Sequence, residues 1–325
     1  MHKRDRLLAA IHGEKCDRLP VALWRHWPGD DQDATALAAA HLKWQQDYDW
    51  DFLKVGPASS YSVVDWGVTD RWVGHIEGTR EYTRRVIQKP ADWRKLVPLD
   101  PAEGMLAEQI KTLSLVKAVI GSDVPIIATV FSPLSQAKHL ADNPVMLAHM
   151  RQDPDSFQKG LETIVTSTLR FIDKAKEAGV DGIYYAVQHA RYPLMNEAEF
   201  DRFGRSTDRQ VLDGIQDLWL NILHLHSTEV MFGQVADYPV PVLNWHDRET
   251  GINLQEGLAQ FPGAASGGID HWSLHQEAPT EAIAEAMDAL RQTDGRRLIL
   301  GTGCVIMTTT PLRNIRALRE FVETI

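Results

Sequence analysis

Short apolar, β-branched runs alternate along the chain with longer stretches of helical periodicity, a rhythm that predicts strand–helix units around a parallel sheet. The expected strands cover residues 19–24, 51–55, 125–130, 182–187, 221–225, 241–245, 264–269 and 297–301. The expected helices cover 34–46, 104–120, 155–178, 197–219, 230–236, 254–260, 280–293 and 311–323. Asp153-Pro154-Asp155 and Ala278-Pro279-Thr280-Glu281 read as helix starts, and Ala178-Gly179 and Asp294-Gly295 as helix stops,. Eight such units predict an α/β fold, a single (β/α)8 TIM barrel occupying residues 1–325,. One stretch breaks the rhythm. Residues 59–95 carry two alternating apolar–polar segments, 62–68 and 82–88, which predict a β-hairpin inserted after the second strand,.

Composition narrows the class. The 325 residues carry 34 basic and 44 acidic side chains, a net charge of −10 with no basic patch, which argues against nucleic acid and anionic membranes as partners,. No apolar run is long enough to span a bilayer, and the N-terminus lacks the pattern of a secretory signal,. Only two cysteines are present, Cys16 and Cys304, so no disulfide framework is expected and a cytoplasmic setting fits,. Six of the ten tryptophans fall within the first 72 residues, which suits either core packing or a wall on which a substrate stacks.

In a βα barrel the reactive groups sit at the C-terminal strand ends. Reading only those positions selects Trp24, Arg25 and His26 after the first strand, Lys54 in the second, and Gln188 and His189 after the fourth. It adds His224 and His226 on the fifth, Trp245, His246 and Asp247 at the sixth, and Cys304 after the eighth. His224 and His226 are two apart on a strand, so their imidazoles point the same way, with Leu225 between them facing the helices,. Two imidazoles and a thiolate form a borderline-soft ligand set that suits Zn²⁺. Hydrogen bonding within a polar barrel mouth, with Cys304 as a small buried hydrophobe, would leave the same pattern. Glu229 is a further candidate ligand, although an acid there also suits the first turn of a helix,. Arg25 could clamp a carboxylate or pair with Asp30 or Asp31,. His246 and Asp247 could form an oriented acid–base pair,. Arg25, His26, His246 and Asp247 are thus the candidate catalytic residues, and Trp24, Lys54, Gln188, His189 and Trp245 the candidate substrate-binding ones. Gly301-Thr302-Gly303 reads as a turn, since the remaining marks of a dinucleotide site are missing,.

Three segments resemble the uroporphyrinogen decarboxylase superfamily: Arg-Leu-Pro-Val-Ala-Leu-Trp-Arg-His-Trp-Pro at 18–28, Leu-His-Leu-His at 223–226, and Arg-Arg-Leu-Ile-Leu-Gly-Thr-Gly-Cys-Val-Ile at 296–306. The resemblance implies a TIM barrel and one of two chemistries, cofactor-free porphyrinogen decarboxylation or zinc-dependent corrinoid or thiol methyl transfer. The decarboxylase branch carries an arginine-rich N-terminal loop and an aspartate near the end of the second strand. This chain has Arg25 alone in the first place and Lys54 in the second. The methyltransferase branch carries His-x-Cys on the fifth strand and a Gly-x-Gly-Cys cysteine on the eighth. Here His224, His226 in place of the first cysteine, and Cys304 occupy those positions. The resemblance therefore implies a zinc-dependent methyltransferase acting on a small molecule, with a carboxy-lyase as the alternative. It also implies a corrinoid-carrying protein as partner and a homodimer.

Overall fold

The computed structural model describes residues 1–325. Seven strands form one curled parallel sheet: β1 (Leu53–Val55), β4 (Ile126–Phe131), β5 (Gly182–Val187), β6 (Ile222–Leu225), β7 (Val242–Trp245), β8 (Ala264–Ile269) and β9 (Leu298–Thr302), adjacent in that order. Every residue of these strands is buried, which is why they read as continuous apolar runs rather than alternating ones,. Helices follow most strands, giving a TIM-barrel-like fold,. One connected apolar cluster reaches from Leu7 to Val322. No helix is long and apolar enough to cross a membrane.

The first expected strand, 19–24, is not a regular strand. It contributes a single parallel bridge, Val21 to Leu300, fixed by Ala22 N donating to Leu300 O (3.1 Å) and Leu300 N to Pro20 O (2.8 Å). On its other side Val21 O accepts from Asp51 N (3.0 Å), so the segment spans the gap between β9 and β1. Asp51 replaces the missing ladder: its buried carboxylate accepts from Val21 N (2.7 Å) and pairs with Arg6 (2.6 Å) and Arg18 (2.7 Å). The proline at 20 removes one ladder donor, which shortens the pairing,.

The expected hairpin arms are also displaced. Residues 62–68 form turns and a short 3-10 helix (Val64–Trp66), and the antiparallel pair is instead β2 (Thr69–Arg71) with β3 (Glu81–Arg84). Asp65 is drawn away from any ladder to accept from Met105 N and Leu106 N (3.0 and 3.2 Å), capping the helix Gly104–Ile120. The expected 197–219 helix is broken as well, running as Glu197–Glu199, a π-helical turn Phe200–Arg205, and Ser206–Asp213. It stops there because Asn221 Nδ2 takes the carbonyls of Ile215 and Leu218 (2.8 and 3.0 Å), which holds the chain in turns leading into β6. Helices absent from the expected set include Pro133–Ala141, Asn143–Gln152 and His271–Gln276. Each has a side-chain cap, from Ser132, Asp142 and Asp270 respectively,.

Candidate metal centre

Strand register assembles the site. β6 pairs with β5 and β7 so that His224 lies beside Ala186 and Asn244, and alternation turns His224, Asn244 and Tyr184 toward one another,. Asn244 is fully buried and all of its side-chain bonds are used. Its Oδ1 accepts from His224 Nδ1 (2.6 Å) and Tyr184 Oη (2.9 Å), and its Nδ2 donates to Ser266 O (2.7 Å) and Thr302 O (3.0 Å). The consequence is tautomeric: His224 carries its proton on Nδ1 and offers Nε2 as a lone pair.

That Nε2 lies 3.4 Å from His226 Nδ1 and 3.9 Å from Cys304 Sγ, and Cys304 Sγ lies 3.7 Å from His226 Nδ1. A fourth group joins them. His246 follows β7, and the donor atoms of His224, His226, His246 and Cys304 all fall within 4.8 Å of one another. His246 Nδ1 donates to Glu249 Oε2 at 2.5 Å, while its Nε2 is buried without any partner. An orphaned buried nitrogen is costly unless something occupies the space before it. The donor set of the four groups, three imidazole nitrogens and one sulfur, thus fits a borderline-soft ion,.

Charge is distributed accordingly. Burial pushes the Cys304 thiol up, but the contacts with His224 and His226 and the nearness of His246 outweigh it and hold the thiol well below its ordinary range,. Burial lowers His224, to about 4, so it stays neutral. Burial also disfavours a charge on His246, but Cys304 and Glu249 reverse this and raise it to about 10.

A cavity of about 390 Å³ opens over this cluster. Of the candidates from the sequence, His26, Lys54 and Gln188 line it together with His224, His226 and Cys304. Lys54 is buried, makes no hydrogen bond or ion pair, and lies 4.5 Å from the Tyr184 ring centroid; burial lowers it to about 7. The other candidates lie elsewhere. Trp24 is packed against Tyr184 and Phe52, beneath the lining. His189 bonds Asn143 Oδ1 (2.9 Å) behind it. Trp245 points out of the sheet, where its Nε1 donates to Ile252 O (2.8 Å) and its ring meets Phe232. Asp247 does not pair with His246: its Oδ1 accepts from Gly268 N (3.1 Å), and Glu249 takes the imidazole instead. Glu229 is exposed and outside the cluster. Arg25 lines a different cavity.

The outer wall of the cavity comes from residues that strand-end reading does not select. Arg80, Tyr82 and Arg85 arrive on the β2–β3 insertion, and Lys138 and His139 on the helix Pro133–Ala141. Arg80 is neutralised by Asp70 and Asp31, but Arg85 and Lys138 have no carboxylate partner. Arg85 donates to the carbonyls of Lys138 and His139 (2.9 and 2.7 Å), and Lys138 Nζ to Gln188 Oε1 (3.2 Å). More cations therefore face the cavity than Arg25 and Lys54 in the sequence suggested.

Residues 73–325 match the protein family described as uroporphyrinogen decarboxylase (URO-D). The methylcobamide:CoM methyltransferase MtaA of Methanosarcina barkeri is 24% identical over 211 residues, 64% of this chain and 61% of that protein. The chain thus spans about three fifths of the length of that relative. A uroporphyrinogen decarboxylase of Chlamydia caviae is 25% identical over 229 residues, 67% of this chain and 66% of that protein. Among solved structures, a methyltransferase from Methanosarcina mazei superposes with a TM-score of 0.85 at 19% identity, covering 100% of this chain and 99% of the other.

Proposed function

Because the chain belongs to the uroporphyrinogen decarboxylase family, we propose that it is a zinc-dependent methyltransferase acting on a small molecule. The observation that carries this reading is the convergence of three imidazoles and one low-pKa thiol, with His224 locked by Asn244 to present Nε2 and His246 Nε2 left unpartnered. His224 Nε2, His226 Nδ1 and Cys304 Sγ would hold the ion, and His246 Nε2 would complete the set. Bound zinc would supply Lewis acidity, lowering the pKa of a ligating thiol or water or polarising a donor oxygen.

The remaining roles belong to the chain. Glu249 accepts from His246 Nδ1, which aims Nε2 at the cluster and stabilises positive charge on the ring,. Lys54, Lys138 and Arg85 favour a substrate with a negative charge, and Tyr82, Phe131 and Tyr184 exclude water from its apolar part,. A corrinoid-carrying protein as methyl donor agrees with the activity named for the Methanosarcina barkeri relative. Carboxy-lyase chemistry fits less well, since Lys54 in its charged form accepts no hydrogen bond from a pyrrole N–H, where an aspartate would accept one.

The test is metal content followed by turnover. Protein purified in zinc-containing buffer should carry one equivalent of zinc by plasma emission spectroscopy, and Cys304→Ala and His224→Ala should lose it while remaining folded by circular dichroism. Methylcobalamin with a panel of small thiols should then show metal-dependent loss of the methyl–cobalt absorbance. Metal-free wild-type protein under these conditions would overturn the reading.

A further inference from the structure

Arg25 and His26 are consecutive, yet they face different cavities. His26 lines the cavity over the histidine–cysteine cluster, whereas Arg25 lines a separate cleft of about 470 Å³ between the helices Ala34–Tyr48 and Leu312–Phe321. Three rings build that cleft. Trp27 meets Trp44 edge-on at 5.8 Å between centroids, and Trp44 packs on Tyr48 at 4.5 Å. On the same cleft Ala36 and Ala40 present only methyl groups, so no long side chain of that helix face fills the space beside the largely buried Trp44 and Tyr48.

The charges here are unusual for this chain. The Arg25 guanidinium is partly buried, 4.6 Å from the Trp27 ring centroid; its one hydrogen bond goes to the carbonyl of His26 (3.4 Å), and no carboxylate lies within 4.0 Å. Arg316, across the cleft, has no ion pair either. Of the two acids on the cleft, Asp47 is engaged by Lys43 (3.0 Å) and Asp30 pairs with no cation. In a protein with 44 acidic against 34 basic residues, two guanidiniums without carboxylates in one aromatic cleft form a site that lacks its anion.

We propose that this cleft is a second ligand site, distinct from the metal centre, that binds a small aromatic carboxylate. A guanidinium stacked on an indole keeps its N–H edge free, and that edge matches a carboxylate with two parallel hydrogen bonds. The ligand's ring would lie along Trp44 and Tyr48, where offset or edge-on contact is favourable. The volume is that of a small-molecule site,. Because Arg25 and His26 share a peptide unit, an occupant would also fix the segment that carries His26 into the metal cavity.

Calorimetric titration of the full chain with 2-naphthoate, with 2-naphthamide as the neutral counterpart, tests the proposal. Naphthoate should bind at one equivalent, and the amide about tenfold more weakly or worse. Arg25→Gln and Arg316→Gln should each weaken naphthoate by about tenfold or more, while circular dichroism shows both variants folded. Cys304→Ser, which disables the metal centre, should leave naphthoate binding intact, so this result does not depend on the methyltransferase reading. Three outcomes would overturn the proposal: no saturable binding at millimolar naphthoate, equal affinity in both arginine variants, or loss of binding in Cys304→Ser with the arginine variants unaffected.

Discussion

His246 Nδ1 donates to Glu249 Oε2 at 2.5 Å, and this contact turns the opposite ring nitrogen, Nε2, toward Cys304 and the two β6 histidines. A carboxylate behind an imidazole sets its tautomer and raises its basicity, and losing such a partner typically lowers metal affinity about 10–100-fold. Glu249→Ala should weaken zinc binding by that order, and Glu249→Gln, which keeps an acceptor oxygen, by less. Competition against a chromophoric chelator measures both. Equal affinity across the three proteins would show that His246 needs no support from Glu249.

Asn244 is the keystone of the cluster, since its four side-chain hydrogen bonds tie it to four other strands. Asn244→Leu would leave the Tyr184 hydroxyl, His224 Nδ1 and two carbonyls unpaired in the interior. Each such orphan costs about 1–3 kcal/mol, so the substitution should destabilise the fold by about 3 kcal/mol or more. Urea unfolding gives the difference directly. A loss below about 1 kcal/mol would mean that the strand ends repack without it.

Gly303 admits no side chain. A Cβ there would stand 2.8 Å from both the Cα of His246 and the carbonyl oxygen of Trp245, which are backbone atoms at the end of β7. Gly303→Ala should force β9 and β7 apart at the site and weaken zinc binding, since Cys304 is the next residue. Gly233, whose Cβ direction is open, provides the control: Gly233→Ala should leave metal affinity and melting temperature unchanged. Chelator competition and thermal melts on both variants decide the matter, and normal zinc affinity in Gly303→Ala would refute it.

Asp208 predicts a pH dependence remote from the histidine–cysteine cluster. Its carboxylate is buried between the hydroxyls of Tyr185 (2.7 Å) and Tyr238 (2.8 Å), and burial raises it to about 7 even though both hydroxyls favour the ionised form. The unfolded chain titrates near about 3.9. Between these values the folded protein binds the extra proton, so Asp208 contributes stability that is fully present below about pH 4 and is lost as pH rises through about 7. Asp208→Asn should remove this loss, gaining on the wild type between pH about 5 and about 8 in urea melts. A difference that stays constant over this range would rule the assignment out.

Much of the site is legible in one dimension because strand alternation is strict. The two-residue spacing of His224 and His226 already implies a shared face, and His26, Lys54, Gln188 and Cys304 line the same cavity as that pair. The errors cluster where a partner lies off the strand. Asp247 is adjacent to His246 in sequence but is turned toward Gly268, whereas Glu249, one turn further, reaches the ring. Trp245, between two inward residues, faces the helices for the same reason that Leu225 does,.

Hydrophobic periodicity by itself determined the order of the seven sheet strands and of most of the helices between them, because it records which face of each element is buried, and burial follows the local repeat,. It also determined which residues stand at strand ends. What only the tertiary structure decided is which of those groups meet: that His246 joins His224, His226 and Cys304, that Arg25 turns into a separate aromatic cleft, and that the β2–β3 insertion and the helix Pro133–Ala141 bring Arg85 and Lys138 over the histidine–cysteine cluster. These contacts join residues far apart along the chain. Their distances are set by strand register and by how loops and helices pack on the sheet, and no local pattern encodes them.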